Sequence, residues 1–105
     1  MSAQLFTNQI LDGRKADFTA ATAAQITTTA TPIKWVIIQA LGSNTKPLTI
    51  GASTVVHGTA AATGRRGITL NPGSTTDHAI YVNDLSKIYV DVEVTNEGIQ
   101  YFYGK

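Results

Sequence analysis

The chain contains no cysteine among its 105 residues, so disulfides and thiolate metal sites are closed to it. That absence does not assign a compartment. Charge is scarce as well: eight Lys and Arg against seven Asp and Glu leave a formal net charge of +1. A nucleic-acid ligand calls for a basic stripe, and the basic residues here are scattered, so no nucleic-acid partner is expected. Long apolar runs are also missing. The longest, Trp35-Val36-Ile37-Ile38, is far too short to cross a bilayer, and no membrane partner is expected. The polar start Met1-Ser2-Ala3-Gln4, with an apolar cluster broken at Thr7 and Asn8, argues against a Sec-type signal peptide. The chain is therefore expected in the cytosol, or in an assembly formed there.

What remains is a chain rich in Thr, Ala and β-branched residues, of a length that suits one domain with one core. Residues 1–23 differ from the rest. Leu5, Phe6, Ile10, Leu11 and Phe18 are their only large apolar groups, interrupted by Asp12-Gly13-Arg14-Lys15. Leu5, Phe6 and Ile10 have roughly the spacing of a helical turn, but Gly13 ends the pattern, so the segment reads as an extended arm. Such an arm either docks on a neighbour or packs back on its own domain. Residues 24–105 read as the folded domain.

Strand-length segments separated by turn residues fill that domain. They run over 25–30, 33–40, 47–50, 53–57, 67–70, 77–82, 87–94 and 99–103. Residues 33–40 carry apolar groups on both faces, as a central strand covered on both sides would. Residues 87–94 alternate Ile88, Val90, Val92 and Val94 with Lys87, Tyr89, Asp91 and Glu93. Asn71-Pro72-Gly73-Ser74 suits a type II turn, and Asn83-Asp84-Leu85-Ser86 an Asx cap with one helical turn. Gly58 to Gly64 reads as a loop, and Asn96-Glu97-Gly98 as the turn of a C-terminal hairpin. No helix long enough for a parallel crossover follows residue 24. The fold class expected is all-β: an antiparallel β-sandwich, jelly-roll-like, of about eight short strands.

No residue set stands out for chemistry, so no catalytic residue, metal ligand or cofactor is assigned and no enzyme is expected. His57 and His78 lack a second ligand at metal spacing on their own strands and read as structural or exposed. Asp91 and Glu93 share a strand face, as a glycosidase pair could, but read as a solvated outer face. Arg65-Arg66 and Arg14-Lys15 read either as contacts to an acidic patch on a partner protein or as solubilising charge. Near the C-terminus Tyr101 and Tyr103 share a face with Ile99, and Phe102 points the other way. Core or subunit-interface packing is the commoner use of such a cluster than sugar or base stacking. Its second face is expected to be covered by another subunit or by the arm.

The phrases Trp35-Val36-Ile37-Ile38-Gln39-Ala40, Leu48-Thr49-Ile50-Gly51, Gly67-Ile68-Thr69-Leu70-Asn71-Pro72-Gly73, Asp84-Leu85-Ser86-Lys87-Ile88-Tyr89-Val90 and the closing Tyr101-Phe102-Tyr103 resemble small virion proteins of tailed bacteriophages. They look most like capsid decoration, or cement, proteins built as jelly-roll β-sandwiches. The resemblance spans residues 33–103, and the same phrases occur in phage proteins of the tail and neck. It implies a non-enzymatic protein made in the host cytoplasm and bound to the outside of the virion capsid. Its partners would be the major capsid protein and further copies of itself, as a homotrimer or homodimer. The contact residues then expected are Leu5, Phe6, Ile10, Arg14, Lys15 and Phe18 in the arm and Arg65 and Arg66 in a loop. Tyr101, Phe102 and Tyr103 are expected at a subunit interface. The competing expectation is a tail, neck or fibre recognition module that binds carbohydrate.

Overall fold

The computed structural model describes residues 9–58 and 64–105. Seven strands form in chain order: β1 (Ile10–Lys15), β2 (Ala24–Gln25), β3 (Trp35–Ala40), β4 (Leu48–Gly51), β5 (Ile68–Leu70), β6 (Tyr89–Val92) and β7 (Ile99–Gly104). Among the described residues a single 3-10 turn, Leu85–Lys87, precedes β6. The strands make two antiparallel sheets, one of order β1-β7-β3 and one of order β2-β6-β4-β5. The all-β sandwich expected from the strand periodicity is what the chain forms.

Residues 73–83 run along the free edge of β3 without becoming a regular strand. Val36 and Ile80 exchange backbone hydrogen bonds of 2.9 and 2.8 Å, and further bonds join Ala40 to Ser74 and Thr76 to Ile38. With this segment included, strand partners nest from the outside of the chain inward: β1 with β7, β2 with β6, β3 with the segment, β4 with β5. The chain is thus one long hairpin, folded so that successive pairs fall in alternate sheets. That is a jelly-roll-like pairing order.

Period-two alternation places the core between the sheets. In β3, Val36, Ile38 and Ala40 are fully buried, whereas Trp35, Ile37 and Gln39 face outward and are half-buried. Leu48 and Ile50 of β4, Val90 and Val92 of β6, and Ile99 of β7 meet them from the other strands. Burying each of these side chains stabilises the fold by roughly 1.5–3 kcal/mol.

Several expectations need correction. Residues 10–15 are not an arm but the edge strand β1, and Phe18 sits in the core at 1% exposure, so the sandwich does not begin at residue 24. Gly13 is no break, because the ring of Tyr101, its cross-strand neighbour, lies over it and fills the space a Cβ would take. The strand expected over 25–30 stops at Gln25. Beyond it Thr27 Oγ1 accepts from Thr29 N, and Thr31 Oγ1 donates to Thr29 O, giving the backbone local partners in place of a ladder. Residues 53–57 make only the bridge Val56–Arg66, and 77–82 only the bridge Val36–Ile80. Ile68 shares a face with Leu70 but is 62% exposed, because it lies at the sheet edge. Residues 59–63, most of the loop expected between Gly58 and Gly64, lie outside the described residues.

The C-terminal hairpin is absent as well. β6 already has partners on both edges, β2 and β4, so the chain crosses to the other sheet before β7. Asn44, 7% exposed, holds that crossing by mimicking a strand: its Nδ2 donates to Gly98 O at 2.9 Å, and Gly98 N donates to its Oδ1 at 3.0 Å. Glu97 accepts from Thr45 N and Oγ1 at 2.6 and 2.7 Å. Two turns form as expected. Gly73 adopts φ 82°, with Ser74 N donating to Asn71 O at 2.8 Å. Asp84 caps the 3-10 turn and also accepts from Thr31 N at 3.0 Å.

Two predictions follow from these contacts. A Cβ on Gly98 would run into the backbone of Lys15 and Ala16, whereas one on Gly42 would meet nothing within 4 Å. Gly98→Ala is expected to lower stability by at least about 1–3 kcal/mol in urea denaturation, with Gly42→Ala near neutral. Hydrogen bonds from Thr31 N, then from the Ser86 hydroxyl and backbone, hold the Asp84 carboxyl below its ordinary value of 3.8. The stability it contributes is therefore present above that value and lost as pH falls through its lower folded value. Asp84→Asn is expected to melt at a lower temperature than the unsubstituted protein at pH 7, with a shallower decline below pH 3.8, measured as melting temperature against pH.

Candidate functional site

The outer face of the β1-β7-β3 sheet is built by the same alternation that fills the core. Residues opposite one another across the three strands form rows. Ile10, Gly104 and Trp35 make the first, Asp12, Phe102 and Ile37 the second, and Arg14, Gln100 and Gln39 the third. One end of the face is apolar and the other polar. Ile10 and Phe102 are 57% and 45% exposed, and the Phe102 ring lies 5.6 Å from that of Trp35, centroid to centroid. At the polar end Gln39 donates to Gly73 O and accepts from Gln100, which fixes both amides. A shallow cavity of about 510 Å³ opens here, lined by Asp12, Arg14, Ile37, Gln39, Gln100 and Phe102 among others. Among the described residues, the side chains of Asp12 and Arg14 have no hydrogen-bond or ion-pair partner.

Of the aromatic trio, only Phe102 faces outward. Tyr101 and Tyr103 turn inward against the core with their rings stacked 6.0 Å apart, so of the three residues expected at a subunit interface only Phe102 is exposed. Burial, and secondarily the neighbouring Tyr103, raise the Tyr101 hydroxyl above its ordinary value of 10.0. The expected arm contacts also divide. Ile10 and Arg14 are exposed on this face, and Lys15 pairs with Asp17 at 2.8 Å and sits 5.1 Å above the Phe18 ring. Phe18 itself is enclosed in the core and cannot reach a partner. Leu5 and Phe6 lie outside the described residues. β1 adds to the sheet edge and does not cover the second face of β7.

The outer face of the other sheet is closed. His57, which is 0% exposed, lies across it with its backbone N donating to Asp91 Oδ2 at 2.8 Å. Its Nδ1 is 2.8 Å from Thr49 Oγ1 and its Nε2 is 3.0 Å from Glu93 Oε1. Arg65 Nε donates to His57 O at 2.8 Å, and Nη2 lies 3.2 Å from Nε2. Asp91 is thus 5% exposed and Glu93 is drawn inward, so the solvated acidic face expected there does not exist. Arg65 is committed to this tie, which leaves Arg66 as the exposed member of the pair. His78 is exposed as expected. The order hydroxyl, imidazole, carboxylate matches that of a nucleophile, base and orienter. Thr49 and His57 are both at 0% exposure, however, so no substrate reaches either, and the cluster acts as a polar fastening. Among the described residues, no three His, Asp or Glu side chains converge at metal spacing, and no helix is long and apolar enough to cross a membrane.

A second cleft, about 590 Å³, opens between β5 and residues 74–80 with Ile50, Ile68, Leu70 and Ile80 on its walls. It is the open flank of the sandwich, and none of the contact residues expected from the sequence lines it. The fastening at His57 went unread because its partners come from three separate segments. The one local signal is Gly67, whose positive φ and lack of a side chain let the covering chain lie against Thr49 and the backbone of Ile50. The chain matches no protein-family model, no curated protein and no solved structure with which it was compared.

His57→Phe keeps a flat ring, a somewhat larger one, but strips Thr49 and Glu93 of their imidazole partner, leaving Arg65 Nε its bond to the backbone O of residue 57. It is expected to cost about 1–3 kcal/mol in urea denaturation. Amide exchange is expected to quicken in residues 52–58 and 65–67, while β7 keeps its protection relative to the new global stability.

Proposed function

We propose that this protein is a non-enzymatic virion structural protein that binds the outer surface of a bacteriophage capsid and stabilises the shell. The observation that carries the reading is the open outer face of the β1-β7-β3 sheet. It presents Ile10, Trp35, Ile37 and Phe102 beside the unpartnered charges of Asp12 and Arg14. Exposed aromatic and aliphatic groups bordered on one side by polar ones are compatible with a protein-binding surface, where aromatic residues and Arg are enriched. The jelly-roll-like pairing order is one that virion proteins share with lectins and cupins, so it favours the reading without deciding it. The resemblance across residues 33–103 points the same way. The partner is the major capsid protein, the place is the capsid surface, and Arg66 is the loop cation left to meet an acidic patch there.

A module that binds only the assembled lattice stabilises it by mass action, and repetition over the shell lets modest single contacts suffice. The second reading, a recognition module for carbohydrate, is favoured by one specific observation. Asp12, Arg14, Gln39 and Gln100 offer planar hydrogen-bonding groups next to the exposed Phe102 ring, which suits the hydroxyls and the apolar face of a sugar.

Empty capsids of the phage that encodes this chain, mixed with the protein at about micromolar concentration, are expected to bind it and to disrupt at a higher temperature. Phe102→Gln should abolish both effects when tested well below the variant's own melting temperature, where it remains folded. Failure to bind the shell, together with glycan-array binding that is lost in Phe102→Ala, would replace this reading with the second.

A further inference from the structure

We propose that two copies of this chain associate through the open edge of β1, joining their three-stranded sheets into one six-stranded sheet about a two-fold axis at Gly13. The proposal does not depend on the capsid reading, because it rests on β1 alone.

The hydrogen-bond phase of the strand comes first. Lys105 N donates to Gln9 O at 2.9 Å, so in the continuing register Leu11, Gly13 and Lys15 exchange bonds with β7. The backbone N–H and C=O groups of Ile10, Asp12 and Arg14 then point away from the sheet, and among the described residues nothing pairs with them. An unpaired edge of this kind is a template for another strand.

A second copy of β1 fits that template in one antiparallel register. Asp12 stands opposite Arg14 of the partner subunit, Arg14 opposite the partner subunit's Asp12, and the two Gly13 residues face each other on the axis. The phase agrees, since outward-pointing Asp12 and Arg14 occupy the hydrogen-bonded positions and Gly13 the non-bonded one. The charges agree too: two opposite pairs form on the outer face from side chains that have no partner among the described residues. A residue on a two-fold axis must face itself, and glycine brings no side chain to clash there. Shifting the register by two residues places Asp12 against the partner's Asp12, or Arg14 against the partner's Arg14, and like charges directly opposite are unfavourable. A shift of one residue breaks the phase. The alternation Asp12-Gly13-Arg14 thus guards the edge against indiscriminate pairing while allowing one match.

Strand-to-strand contact is small, so the association should be weak and seen by sedimentation equilibrium of the full chain at about 10–300 µM. The expected result is a reversible dimer of the 11.1 kDa chain. Asp12→Arg and Arg14→Asp each convert both symmetry-related pairs to like charges and should each raise the dissociation constant on the order of tenfold. The double variant Asp12→Arg/Arg14→Asp restores opposite pairs and should return it to within about threefold of the original. A monomer throughout, a trimer, single variants that dimerise as well as the original, or a double variant as weak as the singles would each overturn the proposal. Amide exchange of the unsubstituted protein gives a reading that no folding defect can obscure. Protection at Ile10, Asp12 and Arg14 should rise with concentration while that of β5, the edge strand of the other sheet, stays constant; protection at β1 that does not change with concentration overturns it.

Discussion

The structure depends on the seating of β7 between β1 and β3. Its odd residues bond to β1 and its even residues to β3, so Ile99–Gly104 joins the start of the described chain to the strand that carries Val36, Ile38 and Ala40 into the core. The same six residues send Ile99, Tyr101 and Tyr103 into the core and Gln100 and Phe102 outward. Its entry point is constrained from two sides. Gly98 lies against the backbone of Lys15 and Ala16, and its N–H and C=O are both satisfied by the Asn44 side chain. Crossing from one sheet to the other is where a sandwich leaves backbone groups without a ladder, and here an amide side chain takes the ladder's place.

The two outer faces of the sandwich are treated in opposite ways. On the four-stranded sheet, residues 52–58 and 65–67 fold back, and His57 ties Thr49, Asp91 and Glu93 to that cover. Acidic side chains that would otherwise be solvated become structural. On the three-stranded sheet nothing among the described residues folds back, and an aromatic pair, two aliphatic side chains and two unpartnered charges stay at the surface. The fold therefore covers one outer face and leaves the other open. The same contrast separates buried His57 from exposed His78, which the sequence alone presents as equals.

What could be read in advance was whatever depends on neighbouring residues. The alternation at 88–92, the turn at Asn71–Ser74 and the cap at Asp84 are local patterns, and all appear in the structure, whereas the cover expected on both faces of residues 33–40 is found, within β3, only on the face of Val36, Ile38 and Ala40. The opposite facing of Phe102 and its flanking tyrosines was equally local. What could not be read depends on distant partners. Gly13 looked like a break until Tyr101 was seen to cover it, and Asp91 and Glu93 looked solvated until His57 was brought over them. The Thr27–Thr31 stretch misled for another reason: threonine favours strands, yet its hydroxyl also competes for the backbone, and here the hydroxyl won.

The nested pairing of strands carries a cost in time. Each element of the first half must wait for its complement in the second, and the outermost wait is the longest, since Lys15 meets Ile99 only after everything between them has emerged. Contacts so far apart in the chain close late, and a topology dominated by them folds slowly. During synthesis the early strands therefore travel with bare edges, and the tip at β4 and β5, whose partners lie nearest in sequence, is the natural place for order to begin.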